Sequence, residues 1–299
     1  MAHTKHWIAS FRLRTLPLSL STIFAGSYGA AVYDSFRWDV LWLASLTTLF
    51  LQILSNLSND YGDAVKGTDK HRQGEARMVQ SGLITIKEMK RMIVVFALLS
   101  LVSGVGLLWI ALPALFSLKG LLYLITGVLG IGAAINYTVG RNPYGYKGWG
   151  DFFVFVFFGL VGVYGSYYLH AGVFRWEVLL LASAVGLLSA AVLNVNNMRD
   201  EVSDRASRKL SMVVMWGHRF GVIYHICLVL LAWLALAWFV AINHVSVFNW
   251  MFVLTLPLFV VHLQKVLTTV ELRLLDPELK RLAIATFLTV LLLIVGWLF

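Results

Sequence analysis

The chain has 299 residues, of which 59% are hydrophobic and only 13% charged, with a mean hydropathy of +0.79 and a formal net charge of +9. Soluble domains are nearer half apolar and one-quarter charged, and disordered or collagen-like chains are far less apolar, so composition argues against all three. An integral membrane protein is the reading to test, and the test is segment length: a spanning helix needs about 20 mostly apolar residues, with about 17 as the lower limit.

Nine segments qualify: Leu16–Tyr33, Val40–Leu57, Met92–Leu112, Leu118–Tyr137, Phe152–His170, Val178–Val195, Gly221–Ile242, Trp250–Val270 and Leu282–Phe299. None shows the alternating polarity of a membrane β-strand. The first could be mistaken for a secretory signal, but eight more follow it, so it reads as a retained helix. The predicted fold is all-α: nine transmembrane helices forming one domain over residues 1–299. Longer loops at about 58–91, 138–151 and 196–220 cap it.

An odd number of spans puts the termini on opposite sides. With the N-terminus in the cytoplasm, all of the 24 Lys and Arg except Arg37, Lys119 and Arg175 fall on the inner side. That is a strong positive-inside bias, and it accounts for the net charge without nucleic acid, for which no aromatic–basic module is visible. The lone Cys227 lies inside a span and offers neither a disulfide nor a thiolate metal site. Trp38, Trp42, Trp149, Trp176 and Trp250 lie near predicted span ends, as interfacial aromatics do.

Two acidic constellations stand where long apolar segments reach the inner interface. The first runs Asn56-Leu-Ser-Asn59-Asp60-Tyr-Gly-Asp63-Ala-Val-Lys-Gly67-Thr-Asp69. The second runs Asn194-Val-Asn196-Asn-Met-Arg199-Asp200-Glu-Val-Ser-Asp204. Asn196, Asp200 and Asp204 are spaced i, i+4, i+8 and share one helix face; Asn59 and Asp63 repeat the relation. A single loop carboxylate is ordinarily just solvated. Stacked carboxylates are different: at about 6 Å and an effective dielectric near 20, each like-charged pair costs roughly 2–3 kcal/mol, which a bound cation would relieve. Carboxylate and amide oxygens suit a hard ion such as Mg²⁺, held together with substrate phosphates, and the sequence lacks the His or Cys pairing of a zinc site. Two such sets could hold two or more Mg²⁺ and clamp a diphosphate. Arg77, Arg141, Arg208 and Lys209 are candidates to bind that diphosphate, although inner loops are basic in any case. Arg12 and Arg14 precede the first span.

The paired motifs on a nine-span chain resemble the UbiA superfamily of intramembrane prenyltransferases, over essentially the whole length. The strings Asn56–Asp69, Tyr137-Thr-Val-Gly and Val192–Asp200 are similar to its 1,4-dihydroxy-2-naphthoate polyprenyltransferase branch. The resemblance implies a horseshoe of helices around a central cavity. It implies transfer of a polyprenyl chain from polyprenyl diphosphate to 1,4-dihydroxy-2-naphthoate with loss of CO₂, as in menaquinone synthesis, in a bacterial inner membrane with the active site facing the cytoplasm. Asn59 and Asp63 match the first family motif and Asn196, Asp200 and Asp204 the second. The sequence departs at Gly67, where the family usually has Asp; Asp60 or Asp69 could supply the missing ligand. Asp63, Asp200, Asp204, Tyr137 and Arg141 are then the expected catalytic set. The allylic cation calls for aromatic faces in a dry pocket, with Tyr137, Tyr146, Tyr164, Tyr167, Tyr168 and Trp149 as candidates. Arg12, Arg14, Tyr146 and Asp151 are the expected acceptor contacts. The alternatives are a branch of the family with another acceptor, such as 4-hydroxybenzoate, and a secondary transporter; a transporter fits less well because these acids lie at interface depth rather than midplane.

Overall fold

A computed structural model of the chain describes residues 3–67, 77–141, 143–243 and 246–299. Among these residues every regular element is helical and there are no strands. A short helix α1 (Thr4–Phe11) precedes α2 (Leu16–Val32), and α3 (Trp38–Lys66), α4 (Ile86–Ala111) and α5 (Leu118–Asn136) follow. Next come α6 (Gly150–Ala171) and α7 (Val178–Arg199), then two short pieces, α8 (Glu201–Ala206) and α9 (Met212–Trp216). Finally α10 (His218–Asn243), α11 (Val247–Thr268) and α12 (Leu272–Trp297) complete the chain. Eight of these helices are long and apolar enough to cross a membrane. The 17-residue α2 is the ninth expected segment, at the lower limit of spanning length. The protein is a multi-pass membrane protein.

Local chemistry fixes the helix ends. Thr85 and Glu88 form a reciprocal capping box at the start of α4, with Glu88 N donating to Thr85 Oγ1 at 3.2 Å and Thr85 N to Glu88 Oε2 at 3.0 Å. Ser117 caps α5 by accepting from Gly120 N. Pro17 occupies the first turn of α2, where its missing N–H leaves no donor unmatched. Gly67, at φ +70°, ends α3 in the left-handed region.

Two differences from the sequence-based expectation matter for function. First, α3 and α7 run past their apolar stretches, to Lys66 and Arg199, so Asn59, Asp60, Asp63 and Asn196 lie on the ends of membrane helices rather than in loops, with Asp200 at the C-cap of α7 and Asp204 on the short α8. Interface-depth hydropathy ends at Leu57 and Val195, but hydrogen bonding does not. Second, residues Phe155–Gly165 of α6 wind as a π-helix rather than an α-helix. Such wider turns are uncommon and concentrate at functional sites; here Phe157, Phe158 and Val161 of that segment face the central cavity.

Helix α7, apolar on all sides, is the most enclosed element. Leu181, Val185, Leu188 and Val195 are fully or almost fully buried among α2, α6, α10 and α12. Its contact with α6 depends on glycine: a Cβ on Gly159 would lie 2.5 Å from the Ala182 carbonyl oxygen, and one on Gly186 would lie 3.0 Å from Gly159 Cα. Small residues at such crossings let membrane helices approach closely. The other half packs α3 against α4 and α5 through Leu54, Leu57, Met89 and Ile93.

Candidate active site

A cavity of about 450 Å³ runs up the middle of the bundle. One end is polar, lined by Asn59, Asp63, Asn196, Asp200 and Asp204 together with Arg12, Arg77 and Lys209. The opposite end is apolar and reaches Ile23, Leu107, Leu108 and Leu169. The i, i+4, i+8 face of the second motif survives a local break at Asp200, because Asp200 N still donates to Asn196 O and Asp204 N to Asp200 O.

Each motif is held by an arginine. In the first, Arg77 Nη2 donates to Asp63 Oδ2 at 2.8 Å, and Tyr146 Oη donates to the other oxygen at 2.9 Å. Both ion-pair side chains are buried. In the second, Arg199 grips Asp200 with two parallel bonds of 2.7 and 2.6 Å. It also donates to Asn196 Oδ1 at 2.9 Å and to Asp276 Oδ1 at 2.5 Å. Bidentate pairing of this kind fixes carboxylate orientation as well as charge. Arg199 and Asp276 were not anticipated as site residues, although Arg199 adjoins the motif aspartate in sequence.

Asp204 pairs with Lys209 at 3.1 Å. Burial pushes the Asp204 carboxyl up from its ordinary range, opposed by the Lys209 charge. Burial acts against the Lys209 ammonium, but Asp204, Tyr137, Asp63 and Asp200 outweigh it and leave its pKa raised. Burial also pushes the Tyr137 hydroxyl up to about 12, so it stays protonated at neutral pH.

The Tyr137-Thr138 string has a structural reason. Thr138 Oγ1 lies 3.0 Å from Ser58 O and 3.2 Å from Asn59 Oδ1, and donates its single proton between them. A Cβ on Gly62 would come within 2.6 Å of Thr138 Oγ1, so only glycine lets the two segments meet there. Asn56, also in the first motif and also lining the cavity, donates to Phe11 O at 2.9 Å, tying α1 to α3.

The remaining expected residues are dispersed. Asp60 does not line the cavity; its two carboxylate oxygens accept from the backbone N–H groups of Met78 and Val79, anchoring the segment that carries Arg77. Arg141 and Arg208 are exposed and do not line the cavity, although Lys209, next to Arg208, does. Arg14 also lies off it and pairs with Asp276 at 3.3 Å. Tyr146 does not line the cavity but donates to Asp63, which does. Asp151 opens onto a separate crevice on the other side of α6. Asp69 lies outside the described residues. Of the aromatic candidates, Tyr137 lines the cavity, and Tyr144, Phe153, Phe157 and Phe158 do so unforeseen. Tyr164, Tyr167, Tyr168 and Trp149 do not.

The cavity's donor set suits a hard cation. Among the described lining residues, the charges of Asp63, Asp200 and Asp204 are matched by Arg12, Arg77 and Lys209. An added diphosphate would therefore be uncompensated unless cations came with it. The carboxylate and amide oxygens beside it are oxygen ligands of the type magnesium shares with phosphates, and no nitrogen or sulfur set competes. Among the described residues no cluster of three or more His, Cys, Asp or Glu forms a metal cage by itself.

The described residues thus form an all-helical membrane bundle around a tall cavity, polar at one end and apolar at the other. The chain belongs to the UbiA prenyltransferase family, whose sequence profile matches residues 19–288. It is 42% identical over 297 residues to a 1,4-dihydroxy-2-naphthoate octaprenyltransferase of Escherichia coli (strain K12), covering 99% of this chain and 96% of that protein. Its fold is similar to that of a UbiA homolog from Aeropyrum pernix K1 in the apo state, with a TM-score of 0.68 at 15% identity, covering 100% of this chain and 98% of that one. A UbiA homolog from Archaeoglobus fulgidus bound to GPP and Mg²⁺ has a TM-score of 0.62 at 14% identity, over 97% of this chain and 99% of that one.

Proposed function

We propose that this protein transfers a polyprenyl chain from polyprenyl diphosphate to 1,4-dihydroxy-2-naphthoate, in the manner of the E. coli relative's named activity. The observation that carries the reading is the cavity itself, which joins paired Asn/Asp motifs and cations at one end to an apolar shaft at the other. Identity of 42% over nearly the whole chain supports the acceptor assignment.

In this reading Asn59, Asp63, Asn196, Asp200 and Asp204 hold Mg²⁺ together with the diphosphate. The metal supplies charge that stabilises the leaving group. Arg77 and Lys209 add fixed positive charge at the same end. Arg12 also lines the polar end, and we assign it to the acceptor's carboxylate. As the prenyl C–O bond breaks, the bonding pair leaves with diphosphate and an allylic cation remains. The faces of Tyr137, Tyr144 and Phe153 shield and stabilise it. The acceptor ring carbon that bears the carboxylate attacks. The C–C bond to the carboxylate then breaks, CO₂ leaves, and its electron pair restores the aromatic ring. The products are diphosphate, CO₂ and a prenylated 1,4-dihydroxynaphthalene. The apolar shaft houses the prenyl chain, and walls of helix rather than solvated loop keep the cation from water.

The positive-inside distribution supports a bacterial inner-membrane location with the N-terminus and the polar end facing the cytoplasm. The deciding assay offers the purified protein one polyprenyl diphosphate with either 1,4-dihydroxy-2-naphthoate or 4-hydroxybenzoate. Turnover of the naphthoate alone is expected; preference for 4-hydroxybenzoate overturns the acceptor assignment. EDTA is expected to stop the reaction and added Mg²⁺ to restore it, and unaffected turnover in EDTA would remove the metal from the mechanism.

A further inference from the structure

Helices α6 and α7 separate the central cavity from a second space. Phe153 and Val154 face the central cavity, whereas Asp151, Phe152 and Phe155 face the second. On α7, Ser189, Val192 and Leu193 line the first, and Leu187 and Ala190 line the second. Met212, Tyr224 and Leu228 close this crevice of about 420 Å³ from the other side. Its mouth carries Trp149 and Phe152, each 54% exposed on the apolar perimeter of the bundle.

One side chain in it is out of keeping with these walls. Asp151 is only 4% exposed, and its Oδ1 has no hydrogen-bond partner among the described residues. A buried carboxylate oxygen left unmatched in apolar surroundings is costly. Among the described residues no Lys, Arg or His lines the crevice. The space therefore matches a flat apolar body with a neutral hydrogen-bond donor at one end. An anion would meet the carboxylate without a compensating charge. A phospholipid ammonium would bring a phosphate that nothing in the crevice neutralises.

We infer that this crevice is a holding site for a prenylated aromatic diol, the hydroquinone product, with a ring hydroxyl donating to Asp151 and the prenyl tail lying in the bilayer. The inference rests on the prenyl-transfer reading above. The two compounds of the reaction differ in the feature that Asp151 senses: the acceptor carries a carboxylate and the product has lost it. The crevice thus accepts product and rejects acceptor, one helix away from the central cavity.

The test uses the full chain in nanodiscs and a short-chain 2-prenyl-1,4-dihydroxynaphthalene kept reduced. Binding is read as the fluorescence quenching that disappears in Trp149→Phe. Saturable quenching is expected, weakened about tenfold or more in Asp151→Leu and largely kept in Asp151→Asn, whose amide oxygen still accepts. Ala190→Leu, which fills the crevice without touching the carboxyl, is expected to weaken it similarly, and monodispersity with an unchanged melting temperature checks that each variant is folded. Equal binding in wild type, Asp151→Leu and Ala190→Leu overturns the site. So does equally tight binding of 1,4-dihydroxy-2-naphthoate, or displacement at lower concentration by dodecyltrimethylammonium. Initial prenyl-transfer rates, measured separately with both acceptors, judge the catalytic reading: naphthoate turnover without Asp151-dependent binding sinks the crevice alone, and binding without naphthoate turnover sinks the reading on which it rests.

Discussion

Three aspartates at the polar end have three different partners, and those partners set what each substitution should do. Asp63 and Asp200 pair with buried arginines, so substituting either acid breaks a buried ion pair as well as removing a cavity carboxylate, and breaking such a pair is destabilising. Alanine at either position therefore mixes lost chemistry with lost stability. Asp63→Asn and Asp200→Asn keep the shape, and each is expected to cut prenyl transfer by about a hundredfold or more while the protein stays inserted and monodisperse. Retention of more than a tenth of the activity in either would remove that residue from the metal and diphosphate assignment. Lys209 is the cation for Asp204. In Lys209→Met the buried Asp204 carboxyl, already raised, has no counter-charge. A group whose folded pKa is raised contributes stability that is present at low pH and lost as pH rises through the folded value. The melting temperature of Lys209→Met, measured in EDTA, is thus expected to fall relative to wild type as the pH rises from about 5 to about 8. A constant offset across that window would show that Asp204 is not the group left uncompensated. Part of this arrangement was readable as spacing, since the i, i+4 pattern picked out Asp63, Asp200 and Asp204, and all three line the cavity. Spacing did not reveal that Asp60 turns away to the Met78 and Val79 amides, because adjacent helical residues differ by about 100° in direction and only packing says which direction is inside.

At the scale of elements, the site is built by helices that outlast their hydrophobic stretches. The motif end of α3 is fixed to the Tyr137–Gly140 segment through Thr138 and the gap left by Gly62. Gly62→Val is expected to force that contact apart, with a loss of about 1–3 kcal/mol in unfolding stability and a larger fall in activity than stability alone explains, since Asn59 shifts with it. Thr138→Val removes the hydroxyl without adding bulk at the glycine. A comparable loss in both variants would place the effect in the hydrogen bonds rather than in the close approach. Some boundaries of the apolar spans were legible to within a residue, as in Leu118–Tyr137 against Leu118–Asn136, but α3 runs on to Lys66 where its apolar stretch ends at Leu57. The π-helical turn over Phe155–Gly165 was not, because a uniform run of Phe, Val and Gly carries no period to distinguish winding. The same stretch packs closely on its neighbours, Gly159 on α7 and Gly162 on Thr22 of α2.

For the whole molecule, the basic residues and the direction of each helix predict which loops share a side. Arg37, Lys119 and Arg175 stand just before or at the start of α3, α5 and α7, at the end opposite both motifs. In a background with Cys227→Ser, cysteines placed at Ser81 and at Ala114, both exposed, are expected to react with an impermeant maleimide from opposite faces of oriented membranes. Labelling of both from one face would break the alternation of α3 and α4 and the topology with it.

Composition, segment length and charge bias determined by themselves that this chain is a helical membrane protein with its chemistry at one end, because lipid solvation constrains every spanning residue independently of its neighbours. Motif spacing went further and named the central aspartates. Only the tertiary structure decided their partners. Arg77 reaches Asp63 from a loop, Arg199 joins Asp200 to Asp276 across 77 positions, and Asp151 opens onto the far side of α6 rather than into the cavity. Such pairings depend on which faces of distant helices meet, and sequence periodicity carries a face's polarity but not its neighbour.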